Sequence, residues 1–195
     1  MSIQSALVRS ILQRWHAYEW TQQGFGFVRT KIADVGRIHV WDSRVATPRV
    51  STVHTHPWPL HSTIIAGELI NCRFVHKDDR TTPFRSEGLF YQSSRIATGE
   101  GGGLVGDISL VELFVCQPEA YQVGDSYQQK PGEIHRTIAQ DGTVTLLERP
   151  QGPPLEEALT FWPRGTPWVS AEPRPIYGSD LKPIIEYALA RWVVE

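Results

Sequence analysis

Val53-His54-Thr55-His56-Pro57-Trp58-Pro59-Leu60-His61, continuing into Ile64-Ile65-Ala66-Gly67-Glu68, is the stretch around which the chain is organised. Three of the seven histidines fall within it. His54 and His56 stand two residues apart, so on a β-strand both imidazoles leave the same face. Two imidazoles on one face are a natural pair of metal ligands. A third ligand has to come from a distant segment. The strongest candidate is His135 in Lys130-Pro131-Gly132-Glu133-Ile134-His135-Arg136. His61 is a further candidate. Simple alternation from His56 turns it outward, but Pro57 and Pro59 interrupt the alternation.

Taken together, His54-x-His56, Gly67 eleven residues on, and Pro131-Gly132-x-x-His135 resemble the two metal-binding motifs of the cupin superfamily. The His-x-His-Pro-Trp variant is similar to that of a group of small cupin-type proteins, and the resemblance spans about residues 37–150. It implies an all-β core folded as a cupin-type β-barrel, that is, a double-stranded β-helix or jelly roll. Two features depart from the pattern. Cupins place a glutamate ligand shortly after the second histidine, where this chain has Leu60 and His61. The proline of the second motif ordinarily lies two residues before the glycine, whereas Pro131 directly precedes Gly132. The missing glutamate makes the site similar to the three-histidine iron site of the thiol dioxygenases.

The remaining composition narrows the classes. At 195 residues and 22.0 kDa one domain is expected, large enough for a sizeable core. Lys+Arg 19 against Asp+Glu 21 leaves no basic footprint for nucleic acid. No apolar run approaches a membrane span, and the charged, amphipathic N-terminus lacks the apolar core of a signal peptide, so a cytoplasmic protein is expected. Cys72 and Cys116 sit in strand-like runs and read as free thiols.

Outward from the histidines the chain is strand-rich from about 28 to 150. Arg37–Trp41, Arg49–His54, Ile64–Val75 bent at Gly67, Leu110–Cys116, Tyr127–Lys130, Ile134–Ala139 and Val144–Glu148 read as strands. Lys77–Arg85 and Gly99–Gly103 read as loops. Residues 3–19 read as a helix with Ile3, Leu7, Ile11, Trp15 and Tyr18 on its apolar side. After Arg149 the chain turns rich in Pro, Gly and Trp and reads as an extended wrap over the barrel. A final helix begins near Asp180, capped by Ser179 or Asp180, with Leu181, Ile184, Ile185, Ala188, Leu189 and Trp192 as one stripe. That stripe packs on the barrel or, as the lesser reading, makes a homodimer.

Two further side chains enter as catalytic candidates. Tyr127 alternates with Gln129 on the strand before the second motif, and Trp58 follows the first; at least one is expected to wall the metal cavity. Asp141-Gly142 is a two-residue hairpin signal. Such a hairpin pairs Gln140 with Thr143, hence His135 with Glu148, and puts Glu148 on the ligand face, to orient a histidine, bind metal or accept a proton. A carboxylate in place of one histidine would have to be Glu68, Glu133 or Glu148. Arg95, Arg149 and Arg164 read as surface residues, although each could meet a substrate carboxylate. His16, His39 and His76 read as structural.

A three-histidine set is neutral and leaves a divalent ion its full charge. It suits Fe(II) with oxygen and an anionic substrate, and it also accommodates Zn, Mn, Ni or Cu. The function expected is therefore a metal-dependent oxidoreductase, an Fe(II) dioxygenase of a small organic acid or thiol. The alternatives are a non-catalytic small-molecule-binding cupin, or an isomerase or lyase using the metal as a Lewis acid. Fold-level analogy does not separate these.

Overall fold

The computed structural model describes residues 2–45, 53–76, 89–96, 104–152, 155, 157–167 and 173–192. The expected loops at 77–85 and 99–103, and the 49–52 part of the expected strand, lie outside the described residues. Two helices flank a strand-rich core: α1 (Ile3–Gln13), followed by a single 3₁₀ turn at Trp15–Ala17, and α2 (Gly178–Ala190). Between them run β1 (Thr21–Gln23), β2 (Phe27–Ile32), β3 (Gly36–Trp41), β4 (Val53–His54), β5 (Leu60–Ala66), β6 (Glu68–His76) and β7 (Leu89–Ile96). They continue with β8 (Leu104–Val115), β9 (Glu119–Gln122), β10 (Ser126–Gln129), β11 (Ile134–Ala139), β12 (Val144–Glu148), β13 (Ala158–Pro163) and β14 (Arg174–Pro175).

The strands form two antiparallel sheets, in the orders β10-β5-β12-β3-β2-β1-β14 and β11-β4-β13-β7-β8-β6-β9. The second sheet returns on itself through a β11–β6 pairing, so six of its strands make a closed ring of pairings. Each of those six strands sends a side chain into one apolar cluster. The members are Val53, Cys72, Phe74, Tyr91, Leu113, Ile134 and Phe161. Only the concave side of a closed ring lets all six meet, so this cluster is the ring's own filling. Side chains one residue out of step, His54 and His135 among them, therefore leave the ring's outer side.

That outer side faces the first sheet. Leu60, Ile64 and Tyr127 of the first sheet pack with Leu69 of the second. The opposite face of the first sheet lies under the helices. Val28, Ile38, Val40, Val144 and Leu146 meet Val8, Ile11 and Leu12 of α1 and Leu181, Ile184, Ile185 and Ala188 of α2. The expected stripe of α2 is thus used in packing. That of α1 is rotated: Val8 and Leu12 are buried, whereas Ile3 is 90% exposed. Ser2 caps α1 by accepting a hydrogen bond from the Ser5 amide. Tyr177, rather than Ser179 or Asp180, occupies the cap position of α2 and makes no side-chain capping bond.

The expected boundaries of the strand core move outward in both directions. Residues 158–163, expected in the wrap, form β13, which sits between β4 and β7 in the second sheet. β1 and β14 pair with each other and extend the first sheet. Leu110, expected in a buried strand, is on the exposed part of β8. Cys72 and Cys116 are both free thiols.

Two glycines are required by close approach. Gly67, at the bend between β5 and β6, has φ +77°, and a Cβ there would fall 2.6 Å from Oγ1 and 2.9 Å from Cα of Thr143. At Gly36, φ is +146° and a Cβ would fall 2.1 Å from the Leu147 carbonyl oxygen. Gly36→Ala is expected to lower stability by about 1–3 kcal/mol through backbone strain and overpacking. Thermal unfolding beside Gly26→Ala, which has a positive φ but nothing within 4 Å of its Cβ, is the check. Equal losses in both variants would mean that the contact with Leu147 does not matter.

Candidate metal centre

The His-x-His segment owes its position to β11 and β13. His54 lies directly opposite His135 in the β4–β11 pairing and opposite Thr160 in the β4–β13 pairing. Directly opposed residues share a face, so His54 and His135 must emerge together. The neighbouring Thr55 is clamped from both directions: its amide donates to the Leu159 carbonyl at 2.9 Å, and its Oγ1 accepts from the Leu159 amide at 2.8 Å. His56 is already beyond the strand. Its carbonyl accepts from the Gly132 amide at 2.9 Å, which ties the first motif to the Pro131-Gly132 turn of the second. Pro57 and Pro59 supply no amide, so the segment relies on these few bonds for its shape.

The ligand atoms of His54, His56 and His135 all lie within 4.8 Å of one another. Ring centroids are 4.5 Å apart for His54–His135, 4.8 Å for His54–His56 and 5.0 Å for His56–His135. Nδ1 of His135 is 3.5 Å from the Glu133 carbonyl oxygen. A weak bond there favours the tautomer with the proton on Nδ1 and leaves the Nε2 lone pair for a metal. Burial pushes the pKa of His56 well below 6.5, helped by His54 and His135, and burial followed by His54 does the same to His135. His56 and His135 held neutral fit a divalent cation, because the ligating form is the unprotonated one.

Among the described residues no carboxylate joins this group. Glu133 Oε2 accepts from the Lys130 amide at 2.9 Å and closes the turn. Glu68 bonds the Gln140 side chain. Glu148 pairs with His61, Nδ1 to Oε2, at 3.1 Å. His61 stands opposite Glu148 across β5–β12, and neither belongs to the three-histidine group.

The expected hairpin that would have brought Glu148 to His135 does not form. β11 pairs with β4 and β6 in the second sheet, while β12 pairs with β3 and β5 in the first. A turn is present at Gln140–Thr143, with the Thr143 amide donating to the Gln140 carbonyl at 3.1 Å. Gly142 has φ +84°, but Asp141 does not have a positive φ. A type I′ turn needs both, and without it the flanking strands splay apart. The Asp141 carboxylate instead accepts from the Ser43 amide at 2.8 Å and the Ser43 hydroxyl at 2.6 Å. Glu148 ends on the same face as Leu146, on the side of the sheet that packs under the helices.

The Trp58 ring lies 5.9 Å from that of His56. Tyr127 and Gln129 are both buried on β10, on the side facing the second sheet, and burial pushes the Tyr127 phenol up. Both amide atoms of Gln129 and of Asn71, and Nε2 of His39, are buried without a hydrogen-bond partner. Groups of this kind are ordinarily satisfied by a ligand or ordered water.

Other neighbours were not legible as site residues. Phe25, in the turn before β2, stacks on His54 at 4.5 Å. His39, read as structural, stacks on Phe27 at 4.2 Å and lies close enough to His56 to oppose its protonation. Arg29, opposite His39, is buried and pushed down to about 10 by burial and then by Arg37. Alternation in β2 and β3 could have grouped Phe27 and Arg29 with Arg37, His39 and Trp41, but nothing in the sequence says which sheet faces the histidines. Arg95 pairs with Glu157 at 2.5 Å and Arg164 is exposed, as read from the sequence.

No protein-family model matches the chain, and no curated protein or solved structure shows significant similarity to it. The two antiparallel sheets and the three-histidine cluster are compatible with the cupin resemblance. No helix among the described residues is long and apolar enough to cross a membrane.

His39, His56 and His135 make the metal-free protein sensitive to acid. His39, His56 and His135 all have folded pKa values pushed well below 6.5, by burial first. Below about 6.5 the unfolded chain takes up protons that the folded chain refuses. Stability is therefore full above that pH and falls as the pH drops beneath it, by up to about 1.4 kcal/mol per pH unit for each histidine. Thermal midpoints of chelator-treated protein should fall steadily on acidification below that point. A flat midpoint would contradict the assignment of neutral imidazoles.

Proposed function

We propose that the protein is a cupin-type, metal-dependent oxidoreductase in which His54, His56 and His135 hold Fe(II) and the reaction is a dioxygenation of a small organic acid or thiol. The observation that carries this reading is the convergence of three imidazoles from two paired strands and one adjoining loop. An Fe(II) ion held by these three residues would supply a Lewis-acidic, redox-active centre with positions open to substrate and oxygen.

The chain's own contributions follow from the residues around that centre. Trp58 and Phe25 give it apolar walls on two ligand rings, which limits water. Tyr127, its phenol held protonated by burial, remains a hydrogen-bond donor at neutral pH. Gln129 and Asn71 offer amide donors and acceptors that the fold itself does not use. Glu148 serves through His61 and the rim of the adjoining cavity rather than as a ligand.

Elemental analysis of purified protein, followed by oxygen-uptake screening of organic acids and thiols after iron is restored, tests the reading. Stoichiometric iron binding with substrate-dependent oxygen consumption is expected. Zinc retained in preference to iron, with no oxygen consumption, would overturn it in favour of Lewis-acid catalysis or simple ligand binding.

A further inference from the structure

Against Trp58, whose ring lies 5.9 Å from that of His56, is a cavity of about 250 Å³ lined also by Lys31, Arg37, Leu147, Glu148 and Arg149, among others. Its volume is below the roughly 300 Å³ at which ligand pockets usually begin, so it suits a small group rather than a nucleotide or large cofactor. Its chemistry is lopsided. Three of the lining side chains are cationic and one is acidic. The acidic one, Glu148, is already engaged by His61 at 3.1 Å.

The two arginines are held at a single wall. The Arg149 guanidinium carbon lies 4.7 Å from the centroid of the Trp58 ring, and that of Arg37 lies 5.9 Å from the same ring. Neither arginine forms an ion pair with a carboxylate among the described residues. Arg29 and Lys31 add to the same positive field: burial first, and Arg37 after it, lowers the pKa of each. Two guanidinium groups gathered on one indole repel each other, and Arg37 is pushed down by burial and then by Arg149. Bringing cations together in a half-buried cavity costs free energy that a bound anion offsets. Guanidinium forks match the planar oxygens of carboxylate and phosphate.

We propose that this cavity is an anion-binding site, taking a small organic molecule by a carboxylate or phosphate held between Arg37 and Arg149 over Trp58. The site is independent of the metal, since none of the three histidines lines it. Trp58 joins the two, with one side on the arginines and its ring near His56. The nearly balanced charge of the whole chain argues against an extended polyanion as the ligand.

The experiment is calorimetric titration of chelator-treated, full-length protein at low ionic strength, with inorganic phosphate and with succinate as separate probes. Saturable one-to-one binding of at least one probe is expected, and the stronger of the two identifies the acidic group. Arg37→Gln with Arg149→Gln should weaken that binding at least ~10-fold, with Arg37→Lys in between. His135→Ala, which removes a proposed metal ligand that does not touch Trp58, should leave it within about twofold, which separates this site from the metal reading. Arg149 is exposed whereas Arg37 is half-buried, so Arg149→Gln alone remains informative if the Arg37 substitution unfolds the chain. Absence of saturable binding for both probes would overturn the proposal. So would binding that is unchanged in Arg149→Gln and in the double variant.

Discussion

Alanine at His54, His56 or His135 is expected to strip most of the bound metal from the protein, with affinity falling by more than the ~10–100-fold that even changes behind a metal ligand produce. Each of the three supplies one donor to a group whose ligand atoms lie within 4.8 Å, and no nearby carboxylate among the described residues can take its place. His61→Ala is the matched control. His61 lies only five residues beyond His56 but is held by Glu148, outside the group, and its loss should leave metal content unchanged. Metal content after dialysis against a fixed concentration of free ion is the measurement. Stoichiometric metal in all three single variants would defeat the assignment, and loss in His61→Ala equal to that in His56→Ala would mean that the loop, not the ligand set, is at stake.

The contrast between His135 and Glu148 separates what the sequence could convey from what it could not. Same-face spacing of His54 and His56 is local, and a strand only two residues long is enough to realise its first half. His135 was reachable because its turn carries a recognisable Pro-Gly, and the Gly132 amide in fact bonds the His56 carbonyl. Most individual strands were legible from β-branched runs and alternation. Which strands pair was not. Asp141-Gly142 forms a turn, but the backbone at Asp141 and the grip of Ser43 on its carboxylate send β11 and β12 to different sheets. That choice is made by residues about a hundred positions away. The same holds for Arg37, which looks unremarkable in sequence and acquires its character from Trp58 and Arg149. Long-range pairing, rather than local propensity, decides these positions.

Phe161→Ala should cost about 3–5 kcal/mol, a large part of the 5–15 kcal/mol typical of a whole domain. Phe161 is fully buried inside the closed ring, against a filling drawn from all six strands. A Pro- and Trp-rich wrap lying over a finished core would lose little by the same change, so the size of the effect tests the place of β13 directly. The ring also links this residue to the candidate metal centre. Thr160, its neighbour in β13, is paired with His54, and Leu159 holds Thr55 by two hydrogen bonds. Loosening β13 should therefore weaken metal binding although no ligand has been touched, and it should do so at temperatures where the variant is still folded. Phe161→Leu, which keeps most of the volume, should cost under about 1.5 kcal/mol and leave the metal in place. Denaturant unfolding of the three proteins, with metal content read in parallel, is the check. A loss below about 1 kcal/mol in Phe161→Ala would mean that the second sheet does not depend on β13 to close, and that the His-x-His segment is held by β11 alone.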